Sequence, residues 1–399
     1  MSAMEEASSP SAIHLVPSET AAPTMPKRVL LLSSLIALPY RVMRVVAAIG
    51  AEVHVLGNRR SRGLAKSRAC RSFIPTEVPI TGARDLALAD EINRAVHRLG
   101  IGMVLPGDAQ ATRALIALSD VIAAPLFPLP DLTGFDLLNN KWRFTQFARE
   151  LGLLTPQSWL VDDAAELRRM VEAATIPLPA IAKPVNYDGG LGVVKLGEAG
   201  ALKTIDAIDY APIIAQEFIP GRDIGASIYA VRGEVKAFIA HELRRATYRT
   251  LDDPRIETAV QRIAGRMSLD GVYNFDMRLT PNGRIYWLEC NPRFFFKMFQ
   301  SRIAGVNFVA AGLGADGAAR PRPGAAVRMP KALAAAALVA PWRITRRDLA
   351  MLGYYAADPV STVRGVLGLD WERAADAGER HFLAPAMAAD DDRSAALVA

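Results

Sequence analysis

The segment Glu289-Cys-Asn291-Pro-Arg293 closes an apolar run, and thirteen residues upstream the run Tyr273-Asn-Phe-Asp-Met-Arg-Leu279 carries its own acid, Asp276. Between the acids stands Thr280-Pro-Asn-Gly283, a turn signal joining two alternating runs. With Asn282-Gly283 as a two-residue loop, paired positions sum to a constant and Asp276 falls opposite Glu289. Asn291 then projects from the same face, because side chains on a strand repeat every two residues. Facing carboxylates repel and destabilise the pair. A hard divalent cation removes that penalty, and two acids with an amide oxygen suit Mg²⁺ holding phosphates. The competing reading is an exposed hairpin with solvated charges, and Pro281 cannot donate a flanking hydrogen bond.

A chain of 399 residues, half of them hydrophobic, has room for two or three domains with proper cores. Cys70 and Cys290 stand far apart without metal-ligand spacing, which fits a reducing compartment and no disulfide framework. Strand alternation sends Cys290 away from Glu289, as a small buried hydrophobe and not a nucleophile. The net charge of +6 is spread along the chain, with local groups at Arg59-Arg60, Arg244-Arg245 and Arg343 with Arg346-Arg347. Without an aromatic-interleaved basic stripe, no nucleic-acid partner is expected. Residues 1–26 lack a basic n-region and an apolar h-region and read as a disordered tail, so the cytoplasm is the expected location. The Ala- and Leu-rich run from Ala332 to Pro341 is too short to span a bilayer, and no membrane span is expected.

From Val29 the pattern alternates: a strand to Ser33, a helix from Tyr40 to Ile49 ending at Gly50, a strand Glu52–Leu56, and a strand Gly102–Pro106 before a helix opened by Asp108. Such alternation argues a parallel α/β sheet, expected over residues 27–130. The dinucleotide fingerprint is missing after its first strand. Lys141 opens an amphipathic helix with Phe144, Phe147, Ala148 and Leu151 on one face, Asn140 as N-cap and Gly152 just past its end. A second helix begins at Asp163 with Glu166 as a capping-box partner and Leu167, Met170, Val171 and Ala174 as its buried face. Strands are expected at Ala180–Pro184, Ile213–Phe218, Ala226–Val231 and Val235–Glu242, ahead of the Asp276/Glu289 hairpin. This second region is of α+β type. Residues 313–330 read as a linker, 331–385 as a small helical appendage, and 386–399 as an acidic, Ala-rich disordered tail.

Lys183 ends a strand that runs into the glycine-rich stretch Asp188-Gly189-Gly190-Leu-Gly192. Glycines let backbone N–H groups close on phosphate oxygens, and a nearby ammonium adds charge. The lysine precedes the glycines, so this is no Walker loop; a plain glycine-rich hairpin is the alternative. In Glu217-Phe218-Ile219-Pro-Gly-Arg-Asp223, an acid and exposed backbone can receive adenine while Asp223 reaches ribose hydroxyls; an ordinary strand exit is the alternative.

These four segments, Lys141, Lys183 with its glycines, Glu217–Asp223 and Asp276…Glu289-x-Asn291-Pro-Arg293, occur in the order found in the ATP-grasp superfamily. The last resembles carbamoyl phosphate synthetase large subunits and carboxylate-amine ligases. The resemblance covers Val29 to Gly312 and implies an ATP-grasp fold over 131–312, with a lid at about 180–230, behind a Rossmann-like pre-ATP-grasp domain. It implies that Lys141 and Lys183 hold ATP phosphates under the 186–192 loop, with Asp188, Gly189, Gly190 and Gly192. Glu217, Phe218 and Ile219 would bind adenine and Asp223 the ribose. Asp276, Glu289 and Asn291 would coordinate Mg²⁺, with Mn²⁺ as a substitute, although relatives carry Gln or Glu at the place of Asp276. Arg293, with Lys183, would serve the acyl phosphate. The implied reaction activates a carboxylate as an acyl phosphate for attack by an amine or a thiol, the partners being small molecules; a homodimer is left open. Bicarbonate activation and an ATP-binding sensor are the rival readings. His241, Arg244 and Arg245, just ahead of the hairpin, are candidates for the acid substrate through bidentate guanidinium bonds, with a solvated basic loop as the alternative.

Overall fold

The computed structural model describes residues 25–187, 190–314, 319–322 and 324–360. The N-terminal part comprises β1 (Arg28–Ser33), α1 (Ala37–Ala47), β2 (Glu52–Gly57), β3 (Cys70–Pro75), α2 (Leu86–Leu99), β4 (Met103–Pro106) and α3 (Ala109–Ala117). Its sheet is parallel with order β3-β2-β1-β4, the α/β arrangement expected from the alternation. Asp108 caps α3, and its carboxylate also accepts from the backbone N–H groups of Ser34 and Leu35, tying the end of β1 to that helix.

Two helices follow, α4 (Leu132–Asn139) and α5 (Lys141–Glu150). Asn140 caps α5 by accepting from Trp142 and Arg143, and Gly152 lies in the left-handed region just beyond its end. A four-stranded sheet of order β5-β8-β6-β7 is then built from β5 (Ser158–Val161), α6 (Ala164–Glu172), β6 (Ala180–Pro184), β7 (Val194–Leu196), α7 (Ala201–Ile205) and β8 (Ile213–Glu217). Asp163 caps α6, but Glu166 reaches back to the N–H of Asp162, one residue before the box position. Ala174 is exposed past the end of α6 and is not part of its buried face.

The largest sheet has six strands in the order β13-β12-β9-β10-β11-β14. It contains β9 (Arg222–Val231), β10 (Glu234–Arg244), β11 (Thr247–Leu251), α8 (Pro254–Arg266), β12 (Gly271–Leu279), β13 (Ile285–Asn291), α9 (Met298–Ala304), α10 (Phe308–Gly312) and β14 (Ala326–Arg328). Two expected boundaries change. The four-stranded sheet spans 158–217, so β9 falls outside the lid anticipated at 180–230 and β5 falls inside the sheet. The expected linker at 313–330 contributes β14, which pairs with β11 and closes that sheet edge. The appendage is helical as far as it is described, with α11 (Pro330–Val339) and α12 (Arg346–Ala356). Residues 1–24 and 361–399 lie outside the described residues; they include the expected tail at 386–399 and all but the last two residues of the one at 1–26.

Alternation along the six-stranded sheet produces two different faces. Ala226, Ile228, Phe238, Tyr273, Phe275, Trp287 and Cys290 pack with α5 and α8 in one core. On the other face, Tyr229, Ile239 and Val272 are covered by α9, α10 and Phe127. Further along β12 that second face turns polar at Asn274 and Asp276, and there it opens into a cleft shared with the four-stranded sheet.

Candidate active site

The hairpin of β12 and β13 pairs Asp276 with Glu289 and Asn274 with Asn291. The expected two-residue loop is absent. Thr280 and Arg284 close a three-residue loop, Pro281 to Gly283, with Gly283 in the left-handed conformation such loops require. A bulge at Leu288 takes up the extra residue, so that Met277 pairs with Trp287 while Asp276 still meets Glu289. The bulge has a partner: Lys183 Nζ donates to the Leu288 carbonyl at 3.4 Å.

Around the acid pair, Asn291 Nδ2 donates to Asp276 Oδ2 at 3.1 Å and approaches Glu289 Oε1 at 3.5 Å, while Asn274 Nδ2 donates to Asp276 Oδ1 at 3.2 Å. Asn291 Oδ1 accepts from Arg293 Nη2 at 2.8 Å, so presenting that oxygen to a cation requires the amide to turn. Burial, and then the facing Glu289 carboxylate, push Asp276 up to about 6. Burial also works to raise Glu289, but the Lys141 and Lys183 ammonium groups outweigh it and hold Glu289 below the usual carboxylate range. Lys141 Nζ lies 3.6 Å from Glu289 Oε2 and donates to the Tyr187 carbonyl. Burial brings Lys183 down to about 8. An ionised Glu289 and an Asp276 with raised proton affinity, beside two ammonium groups, form an oxygen-donor site that a divalent cation and phosphates would complete. Among the described residues no cluster of three or more His, Cys, Asp or Glu side chains is found, and a cation here would draw its other ligands from phosphate oxygens and water.

A cleft of about 500 Å³ is lined by Lys183, Gly190, Glu217, Phe218, Ile219, Asp223, Asp276, Glu289, Asn291 and Arg293, together with residues the sequence reading missed. Lys141 is buried just behind Glu289. Gly192 adopts positive φ with its carbonyl bonded to the Tyr210 hydroxyl at 2.6 Å, whereas Asp188 and Gly189 lie outside the described residues. At the β8 end, Glu217 accepts from the N–H of Gln157 and Phe218 has Lys195 Nζ 3.8 Å over its ring. Asp223 is exposed and ion-paired with Arg278, which also donates to the Ile219 carbonyl at 3.0 Å.

The three substrate candidates do not line the cleft. Arg244 and Arg245 are exposed where β10 turns into β11, with Arg245 and Ala246 in the left-handed conformation. His241 is buried, stacked on Tyr248 at 4.7 Å, and held neutral by burial and then by Lys297, whose Nζ lies 3.4 Å from its Nε2. The missed residues include Asn274, Arg278, Phe295, Phe296 and Lys297. The two-residue repeat that placed Asp276 also places Asn274 and Arg278 on its face and could have found them. Phe296 and Lys297 follow the strand in a loop and carried no such signal.

A family model described as "ATP-grasp in the biosynthetic pathway with Ter operon" matches residues 209–333, from just ahead of β8 through the β12–β13 hairpin into α11. The chain has the ATP-grasp fold. It is 26% identical over 199 residues to a D-alanine--D-alanine ligase of Azoarcus sp. (strain BH72), covering 44% of this chain and 65% of that protein. The match thus spans just under two-thirds of that relative. Solved ATP-grasp structures share the fold. A carboxyaminoimidazole ribonucleotide synthase from Aspergillus clavatus, complexed with ATP, superposes with TM-score 0.57 at 14% identity over 79% of this chain and 87% of its own. An L-amino acid ligase from Bacillus licheniformis gives TM-score 0.55 at 16% identity over 73% and 74%. Among the described residues no helix is long and apolar enough to cross a membrane.

Proposed function

We propose that this ATP-grasp chain is an ATP-dependent ligase that activates a carboxylate as an acyl phosphate and joins it to an amine, releasing ADP and phosphate. The observation that carries this reading is the single cleft holding Lys183, the Glu217–Ile219 strand exit, the Asp276/Glu289/Asn291 cluster and Arg293. Adenine lies against Phe218 and Ile219 with Glu217 at its amino group, and Asp223 reaches the ribose. Lys183, Lys141 and the loop at Gly190 and Gly192, with Asp188 and Gly189, hold the phosphates. Asp276, Glu289 and Asn291 would hold Mg²⁺, or Mn²⁺ in its place; when bound, the cation neutralises phosphate charge and offsets the repulsion between the acids.

A substrate carboxylate oxygen attacks the γ-phosphorus as the bond to the ADP oxygen breaks, and ADP departs with that electron pair. Positioning and charge carry such a transfer. Lys183 stays at the leaving phosphates. Arg293, held by the Phe294 carbonyl at 3.0 Å and, before the Asn291 amide turns to a cation, by Asn291 Oδ1, faces the acyl phosphate. The amine lone pair then attacks the acyl carbon, phosphate leaves, and one N–H proton passes to solvent. This reading makes the partners small molecules and the working compartment the cytoplasm. The test is ADP release with Mg²⁺ across an acid-by-amine panel, with Glu289→Ala as control. Amine-dependent ADP release that the control lacks supports the ligase, and no stimulation by any pair refutes it.

A further inference from the structure

The far end of the cleft differs from its nucleotide end. Along β12 and β13 the floor runs from Arg278, beside the Ile219 carbonyl, through Asp276–Glu289 to Asn274–Asn291. Each step of two residues advances roughly 7 Å, so the loop after Asn291 begins well away from the adenine end. That loop is Pro292-Arg293-Phe294-Phe295-Phe296-Lys297. Phe294 and Phe295 are buried, Phe295 edge-on to Phe308 at 5.4 Å. Phe296 is not: it remains 39% exposed in the cleft wall. Its ring is held from outside by Arg41 of α1, whose guanidinium sits 4.8 Å away and is anchored on the Ala37 carbonyl at 2.6 Å. The N-terminal domain thus holds an uncovered aromatic face at the site.

The charges around that face have one sign. Arg293 and Lys297 are the cations of this end, and Lys297 is steered by neutral His241. All four acids lining the cleft among the described residues, Glu217, Asp223, Asp276 and Glu289, lie at the nucleotide end or in the facing pair. A carboxylate finds two partners here, whereas an α-ammonium group could turn only to Asp276, which already accepts from Asn274 and Asn291 and lies within reach of the Lys297 charge. Leaving an ammonium unpaired in a cleft is costly.

Resting on the ligase reading, we infer that the acid this site activates is an apolar monocarboxylate, aryl or long alkyl, and not a free α-amino acid. Its carboxylate lies at Arg293 and Lys297 and its body against Phe295 and Phe296. The test is calorimetric titration of the full-length protein loaded with MgADP, using 3-phenylpropionate, propionate and phenylalanine as probes. Expected is binding of 3-phenylpropionate about tenfold tighter than propionate, since burying a ring is worth at least one decade in affinity, and tighter than phenylalanine, whose ammonium group would lose its water without a carboxylate partner. Phe296→Ala should abolish the preference over propionate, Arg41→Ala should reduce it, and Lys297→Met should weaken all carboxylates alike. Equal affinity for the three, tightest binding of phenylalanine, no binding of any of them, or a preference untouched by Phe296→Ala overturns the inference while the ligase reading stands. Failure of MgADP itself to bind overturns both.

Discussion

Asp276 and Glu289 face each other although the loop between their strands is one residue longer than the flush turn that would align them, because Leu288 bulges out of β13. The bulge exposes a carbonyl that Lys183 uses. Deleting Leu288 leaves a regular ladder in which the acids still pair, but the lysine loses its acceptor. Nucleotide affinity should fall about threefold to tenfold in a fluorescent-ADP titration, with the fold kept by circular dichroism. Unchanged affinity would assign the bulge a purely structural part.

Two facing acids cost stability until a cation arrives. Asp276 sits at about 6 in the fold, above an unfolded aspartate, so the folded state holds the extra proton between about pH 4 and 6. Stability without Mg²⁺ therefore falls as pH rises through that window. Asp276→Asn should remove the fall, raise stability at pH 7 by on the order of 1–2 kcal/mol, and lower Mg²⁺-dependent ADP release at least about 100-fold. A lower melting temperature for this variant would contradict the repulsion.

Lys183 behaves in the opposite sense. Burial brings it to about 8, below the value of an unfolded lysine, so stability rises with pH from about 8 to 10.5 as the charge is shed in the fold first. Its hold on phosphate weakens over the same range. ATP affinity should decline above pH 8 in the native protein, and Lys183→Arg, which stays charged, should flatten the profile. A flat profile in the native protein would remove Lys183 from the phosphate site.

Gly225 stands between Asp276 on β12 and His241 on β10. A Cβ there would lie 2.9 Å from His241 Cε1 and 3.3 Å from the Phe275 carbonyl oxygen. Gly225→Ala should displace the imidazole and with it Lys297, costing about 1–3 kcal/mol in urea unfolding and weakening carboxylate binding more than nucleotide binding. Equal loss of both would mean the sheet itself has shifted.

Much of this was legible in the sequence, for reasons that particular residues explain. The cap at Asn140, the strand carrying Lys183 and the shared face of Asp276, Glu289 and Asn291 follow from local chemistry and a two-residue period. The loop length was misread, and the register came out right only because the bulge offset it. No glycine marks that bulge; it sits where Lys183 and the Leu154 carbonyl, which accepts from Trp287 at 2.9 Å, engage β13. Tertiary partners of this kind leave no periodic trace. Lys297 escaped for the same reason, since it enters the cleft from a loop, and the short β14 was hidden in a stretch whose composition resembles a linker.

The chain passes from the four-stranded sheet to the six-stranded one through residues 218–221, between β8 and β9. Gly221 is pressed so close to the end of β12 that a Cβ would lie 2.4 Å from the Leu279 carbonyl oxygen, and Phe218 and Ile219 line the cleft. Any rocking of one sheet against the other must be absorbed in this short joint and in the connection 151–157 that leads into β5. A base wedged against Phe218 and Ile219 would act as a brake on that motion, so that the occupant of the nucleotide end would also set how long the opposite end stays closed to water.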